Sequence, residues 1–178
     1  MRLIVLVVTM QADWLYYFAY GSNLSLARLR QRVPTARRVG TYYLPGHELR
    51  FHKQGDDGSA KCDAFASCPE ARVHGAVYAL DPVAKPYLDQ VEGLGWGYAE
   101  KWVTLWDDSG TCVEALTYYA TRIDSRLQPY TWYVNHVLIG ARESALPAHY
   151  ISELEKIRGI EDADRERDRL QRAIHEIR

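Results

Sequence analysis

Little in this sequence is set up for covalent or metallic reinforcement. It has three cysteines, Cys62, Cys68 and Cys112, an odd number with no CxxC spacing. That argues against a disulfide framework and for a reducing compartment, so a cytoplasmic protein is expected. Its six histidines form no HxH or HExxH arrangement, which argues against a zinc site. Charge of either sign is not in excess: 22 Lys and Arg against 23 Asp and Glu give a formal net charge of -1. Nothing global therefore favours nucleic acid or an anionic membrane as partner. There is no internal repeat and no low-complexity linker.

One apolar run needs a decision. Arg2 followed by Leu3-Ile4-Val5-Leu6-Val7-Val8 resembles the start of a signal peptide. It is far shorter than the ~20 residues that cross a bilayer, and no small-residue cleavage site follows before Trp14. A β-branched edge strand or a start-site extension is the reading preferred over secretion.

What the chain does have is length and rings. Its 178 residues suffice for a real core. We expect one domain over 1–178: a core at about 14–158, a possible extension at 1–11, and a peripheral charged helix at 160–178. Thirteen tyrosines and five tryptophans suit a pocket of rings with polar tips, and equally a core.

The most informative stretch is Tyr16-Tyr17-Phe18-Ala19-Tyr20-Gly21-Ser22-Asn23-Leu24. Trp14 to Tyr20 reads as a buried strand. Gly21 permits a tight turn, Ser22 and Asn23 are good N-caps, and Leu24 to Arg32 carries a helical apolar stripe ended by Pro34. Such a strand, glycine turn and helix start can hold an anion, because the first N–H groups of a helix lack partners and face the positive end of its dipole. The loop lacks a P-loop's Gly/Lys pattern, so a carboxylate suits it better than a phosphate. By spacing alone it is as readily an ordinary capped turn.

The remaining elements follow in order. Arg38 to Phe51 reads as one or two strands broken at Pro45-Gly46, and Gly55-Asp56-Asp57-Gly58 as a loop; Lys61 to Glu70 is ambiguous. Val73 to Leu80 is a strand. Asp81-Pro82 starts a helix that runs to Glu92 and stops at Gly93, with Pro86 tolerable only in its first turn. Tyr98 to Trp106 and Thr111 to Thr121 form a hairpin around Asp107-Asp108-Ser109-Gly110. Helices open at Pro129 and Leu146-Pro147, and a charged one fills Glu161 to Arg178, solvated on most of its surface. Strands early and helices late give an α+β class.

Four stretches, in order, carry a resemblance. Tyr17-Phe18-Ala19-Tyr20-Gly21-Ser22-Asn23-Leu24 is similar to the signature of the γ-glutamylcyclotransferase family. Val73 to Leu80 resembles that family's central strand, Leu88-Asp89-Gln90-Val91-Glu92-Gly93 the segment with its catalytic glutamate, and Ile139 to Tyr150 a helical stretch of its members. The match covers about Tyr16 to Ile157. It implies a small mixed β-barrel with surrounding helices and a pocket at its mouth. It also implies that Tyr17, Phe18, Ala19, Tyr20, Gly21 and Ser22, with Asn23 beside them, cradle a γ-glutamyl group. Tyr118, rather than Tyr119, would help enclose it.

Glu92 would be the catalytic group. An acid at a helix C-terminus is locally unfavourable, which invites either a functional role or a side chain simply pointing into water. In the implied reaction the substrate's own α-amine attacks its γ-carbonyl, giving 5-oxoproline and a free amine; no metal and no cofactor is needed. Glu92 would act as general base, then general acid, worth about 10²–10⁴-fold, its reactivity tuned by apolar neighbours. The substrate is a small γ-glutamyl amino acid or amine, as in glutathione metabolism. A specialised γ-glutamyl metabolite is the alternative, as is a non-catalytic domain of this fold that binds a small anion or a protein. A homodimer is possible.

Other candidates receive plainer readings. Asp89 is taken as a surface residue, Glu100 as solvated or paired across strands, His74 as a core or edge histidine, and Cys112 as a small core residue. His136 and His149 lie on helices without acidic metal-ligand neighbours. Arg28, Arg30, Arg32, Arg37 and Arg38 read as a solvated helix face plus loop.

Overall fold

A closed barrel of five strands organises the molecule, and a computed structural model describes residues 14–176 of it. In chain order the strands are β1 (Leu15–Ala19), β2 (Arg37–Pro45), β3 (His47–Gln54), β4 (Ala60–Ala66), β5 (Arg72–Leu80), β6 (Tyr98–Trp106) and β7 (Cys112–Ala120). The barrel order is β1-β5-β2-β6-β7, and β3 and β4 form a separate two-stranded sheet. All barrel pairings are antiparallel except β1 with β7, which is parallel at Tyr17 and Leu116. The barrel is therefore mixed, as the resemblance implied. The apolar run at Leu3–Val8, and the extension proposed for 1–11, lie outside the described residues.

The helices are α1 (Leu26–Arg32), α2 (Lys85–Glu92), α3 (Thr131–Glu143), α4 (Ala148–Glu155) and α5 (Arg165–Ala173). Most start later than the sequence suggests, α5 at Arg165 rather than Glu161 among them, and two of the delays have a clear cause. A 3-10 turn occupies Ser22–Leu24, and Ser25, not Ser22 or Asn23, caps α1 by accepting from Arg28 N at 3.4 Å. Asp81 caps a 3-10 turn at Pro82–Ala84, and α2 begins at Lys85 with Pro86 in its first turn. That removes the conflict of a proline inside a helix. Gly93 ends α2 in the left-handed conformation, φ 74°, as a C-terminal glycine commonly does.

The ambiguous Lys61 to Glu70 stretch is strand β4 as far as Ala66. Strand β5 is buried from Val73 to Leu80 on both faces, because β1 and β2 flank it and helices cover it. The core runs through Phe18, Leu24, Leu29, Val73, Val77, Tyr78 and Leu116. Helix α3 packs against the turn after β1 through Gly140: a Cβ there would stand 2.3 Å from Leu24 C and from Ser25 N. Only glycine allows that approach. Cys112 is only half-buried, not a core residue, since it opens β7 beside the hairpin turn. No described helix is long and apolar enough to cross a membrane.

Candidate active site

The chain leaves β1 at the barrel mouth and turns through Gly21, Ser22 and Asn23 before α1. The C-terminus of α2 comes to the same place. Between them lies a cavity of about 300 Å³, including its opening, lined by Tyr17, Tyr20, Gly21, Ser22 and Asn23 from the first segment and by Glu92 and Tyr118 from later ones. Cys62, Tyr98 and Tyr133 complete the wall. Phe18 and Ala19 do not line it; both are fully buried in the barrel core. Tyr119, the alternative to Tyr118, is half-buried elsewhere with the Lys101 ammonium 5.2 Å from its ring centroid.

Glu92 does not simply point into water. Its Oε1 accepts from Asn23 Nδ2 at 2.7 Å and from Arg32 Nη1 at 2.7 Å, and its side chain is only 15% exposed. Arg32 also donates to Asn23 Oδ1 at 2.6 Å, and Asn23 Nδ2 reaches Tyr17 OH at 3.1 Å. Four residues thus form one connected polar unit. Among the described residues nothing donates to Oε2, and Glu92 lines the cavity. The neighbours expected around this carboxylate were apolar. They are an amide and a guanidinium instead, because one turn of α1 carries Arg32 across to the end of α2.

The helix-start anion site also takes a different form. The first turn of α1 is not open: Leu26 N donates to Glu143 Oε2 at 3.2 Å. In this region the N–H groups of Gly21, Ser22 and Asn23, residues that precede α1 and line the cavity, have no partner among the described residues, and within the first turn of α1 only that of Ala27 is likewise unpaired. Gly21 matters by size. A Cβ there would lie 3.0 Å from Cys62 Cβ and 3.2 Å from Tyr133 OH, so a side chain would intrude on the cavity wall.

The tyrosines are donors held in place. Tyr118 OH donates to Asp89 Oδ1 at 2.6 Å, Tyr20 OH to Tyr118 O at 2.5 Å and Tyr98 OH to Cys62 O at 2.6 Å. Burial, and after it the charge of Glu92, pushes the Tyr17 hydroxyl well above the usual phenol range. Burial and the bond to Asp89 do the same to Tyr118. Both keep their protons at any physiological pH. Burial likewise pushes the Cys62 thiol up to about 12, which makes it a wall rather than a nucleophile.

Two plain readings are corrected here. Asp89 is not a free surface acid: Lys85 Nζ holds both its oxygens at 2.7 Å, and Tyr118 ties it to the cavity. It faces β7 because α2 lies across the barrel mouth. The arginine run is not a solvated face either. Arg30 and Arg37 are exposed, but Arg28 is buried, Arg32 pairs with Glu92, and Arg38 pairs with Glu143. Helix α1 is wedged between α2 and α3, so its inward turn carries cations. Glu100 is exposed, as the solvated reading has it, and its partner is Lys85 of α2 at 2.5 Å rather than a residue across the sheet. His74 is the buried histidine expected, its ring 4.9 Å from that of Tyr150. Among the described residues no cluster of His, Cys, Asp or Glu could hold a metal ion.

Comparison with known proteins gives the family and the fold. The chain is 30% identical over 146 residues to the γ-glutamylcyclotransferase of Bos taurus, spanning 79% of this chain and 77% of that one. The chain belongs to the γ-glutamylcyclotransferase family. It is 30% identical over 153 residues to the human γ-glutamylcyclotransferase, covering 83% of this chain and 79% of the relative. A model of the AIG2-like family matches residues 72–154. A solved structure of a γ-glutamyl cyclotransferase superposes with a TM-score of 0.81 at 24% identity, over 90% of this chain and 99% of the other. The barrel with its helices is thus that family's fold.

Cys62, Tyr98, Tyr133 and Arg32 were not among the site residues expected. Cys62 and Tyr133 come from a sheet and a helix with no motif of their own. Arg32 sits in a helix whose inward face could not be told from its outward one by sequence period alone.

Proposed function

We propose that this protein is a γ-glutamylcyclotransferase that converts γ-glutamyl amino acids or amines to 5-oxoproline and a free amine. The observation that carries this is the carboxylate of Glu92, held through one oxygen and open at the other, on the wall of a cavity that the turn residues Gly21, Ser22 and Asn23 also line.

The substrate brings its own nucleophile. Its α-ammonium gives a proton to Glu92 Oε2. The freed nitrogen attacks the γ-carbonyl carbon, forming the ring C–N bond and moving the carbonyl electron pair onto oxygen. The backbone N–H groups of the turn are suited to that oxyanion. When the pair returns, the bond from the γ-carbon to the departing nitrogen breaks, and that nitrogen takes the proton back from Glu92; the second proton of the ring nitrogen, cationic since the attack, then passes through the same carboxylate to the departing amine, leaving a neutral lactam N–H and an ammonium. The balance closes without an added reactant. Holding amine against carbonyl uses the large effective concentration of an intramolecular reaction, about 10⁵ M or more in good cases. Tyr17, Tyr20 and Tyr118, which keep their protons, shape the cavity and exclude water.

The deciding experiment is incubation with γ-glutamyl-L-alanine while 5-oxoproline is followed by NMR. Formation of 5-oxoproline and alanine in equal amounts is expected. Binding without turnover would leave the anion-binding domain as the better description.

A further inference from the structure

The cavity at Glu92 adjoins a second, wider recess of about 840 Å³, counting the open solvent at its mouth. The two share Ser22, Glu92, Tyr98 and Tyr133. On the reading above, the γ-glutamyl group fills the inner cavity, so the part of the substrate that leaves must project past Glu92 into this recess.

Its charges are unevenly matched. Of the cations that line it, Arg32 is paired with Glu92 at 2.7 Å, Lys61 with Asp57 at 2.6 Å and Arg167 with Asp162 at 2.6 Å. Arg28 and Lys53 form no ion pair among the described residues. Arg28 is the sharper case. It is 9% exposed, and its Nη1 meets only the Nε2 of His136 at 3.3 Å and the Oε1 of Gln171 at 2.5 Å. Its Nε is buried without any partner. Burial pushes the guanidinium down to about 9, which still leaves it a cation at neutral pH. Gln171 is an amide, and His136 is kept neutral by burial and by Arg28 itself. Arg32, one turn on, adds like-charge repulsion. A buried guanidinium with neutral partners alone is costly and is relieved by an anion.

Lys53 is the second free cation. It is 7% exposed, with its Nζ 4.6 Å from the centroid of the Tyr98 ring. Both cations line the same recess, as does Lys61, whose charge Asp57 already answers. The acid left over, Asp56, is exposed at the rim.

We propose that Arg28 and Lys53 hold the carboxylate of the departing amine, so that the recess selects γ-glutamyl amino acids over γ-glutamyl derivatives of plain amines. This rests on the cyclotransferase reading and adds to it the residues that recognise the leaving group. Arg28 and Lys53 are then specificity residues; neither takes part in proton transfer.

The test compares γ-glutamyl-L-alanine with γ-glutamylethylamide, which differs only in lacking that carboxylate. For the wild type, kcat/KM should favour the alanine compound about ten- to a hundredfold, the range of a charge-assisted contact. In Lys53→Met and in Arg28→Met that ratio should fall at least about fivefold, through KM of the alanine compound. Lys53→Met decides the matter if Arg28→Met does not fold, because the Lys53 ammonium makes no ion pair in the protein itself. A ratio near one in the wild type, or one unchanged in Lys53→Met, overturns this inference while the turnover itself upholds the cyclotransferase reading. No 5-oxoproline from either compound overturns both.

Discussion

Arg32 and Glu92 meet at 2.7 Å through Oε1, the same oxygen that takes the amide of Asn23. Two donors on one oxygen fix the plane of the carboxylate and leave Oε2 without a protein partner. A general base needs that combination of restraint and access. The carboxylate comes from the last turn of α2, the amide from the turn after β1, and the guanidinium from α1. No one of these elements could set the geometry alone.

Glu92→Gln keeps an acceptor at Oε1 for Asn23 and Arg32 but cannot carry the proton. The expected result is a fall in kcat of about 10²–10⁴-fold, with a melting temperature within a few degrees of wild type. The check is 5-oxoproline formation at saturating γ-glutamyl-L-alanine, beside a thermal melt. Equal activity in the two proteins would remove Glu92 from the mechanism.

Arg32→Met tests the restraint rather than the base. The pair is about one-sixth exposed on each side, at 17% and 15%, between the limits of surface and buried ion pairs. Its loss should destabilise the fold by about 1–3 kcal/mol, since Asn23 Oδ1 also loses its donor. Turnover should fall about tenfold, mainly in kcat, because Oε2 is no longer held in one place. Denaturant unfolding gives the first number and steady-state kinetics the second. A change in KM alone would mean that Arg32 contacts substrate instead of orienting Glu92.

Gly140→Ala acts on the loop from behind. The added Cβ would sit 2.3 Å from Leu24 C and from Ser25 N, and backbone cannot yield as a side-chain tip can. Either α3 moves out or the turn at Ser22–Leu24 moves into the cavity. Destabilisation of about 2 kcal/mol or more is expected, the upper part of the range for overpacking, together with a raised KM. A variant with wild-type stability and KM would show that the close contact is not needed to place the turn.

The sequence carried the barrel strands well, because their alternation and turn residues are local signals. The hairpin of β6 and β7 around Asp107–Gly110 is the clearest case. It also carried Glu92 and the Tyr17–Asn23 segment, through a resemblance rather than through period or charge. What it could not carry is which face of α1 turns inward. Arg28 and Arg30 are two apart, and one is buried while the other is exposed; nothing local distinguishes them. The same holds for Asp89, whose partner Tyr118 is distant in sequence and meets it only because α2 crosses the barrel mouth. The charged C-terminal helix is likewise less detached than its composition suggested, since Gln171 of α5 reaches Arg28.

That helix gives the protein a built-in acid sensitivity. His136 of α3 is fully buried, 2.6 Å from His175 Nε2 and 3.0 Å from Gln171 Oε1, with Arg28 at 3.3 Å. Burial first, then the charge of Arg28, holds its imidazole down to about 2, against about 6.5 in the unfolded chain. The group therefore stays neutral when folded and takes a proton when unfolded. Its contribution is fully present above about pH 6.5 and is lost as pH falls toward 2, at up to about 1.4 kcal/mol per pH unit. His175 is shifted the same way, by burial. Urea unfolding at pH 7.5, 6.5 and 5.5 should show little change over the first step and a clear loss over the second. In His136→Gln the second step should shrink by roughly 1 kcal/mol, even though the variant starts from a lower stability. An equal loss in both proteins would assign the acid sensitivity to other groups, with His74, also buried and also shifted down, the first to examine.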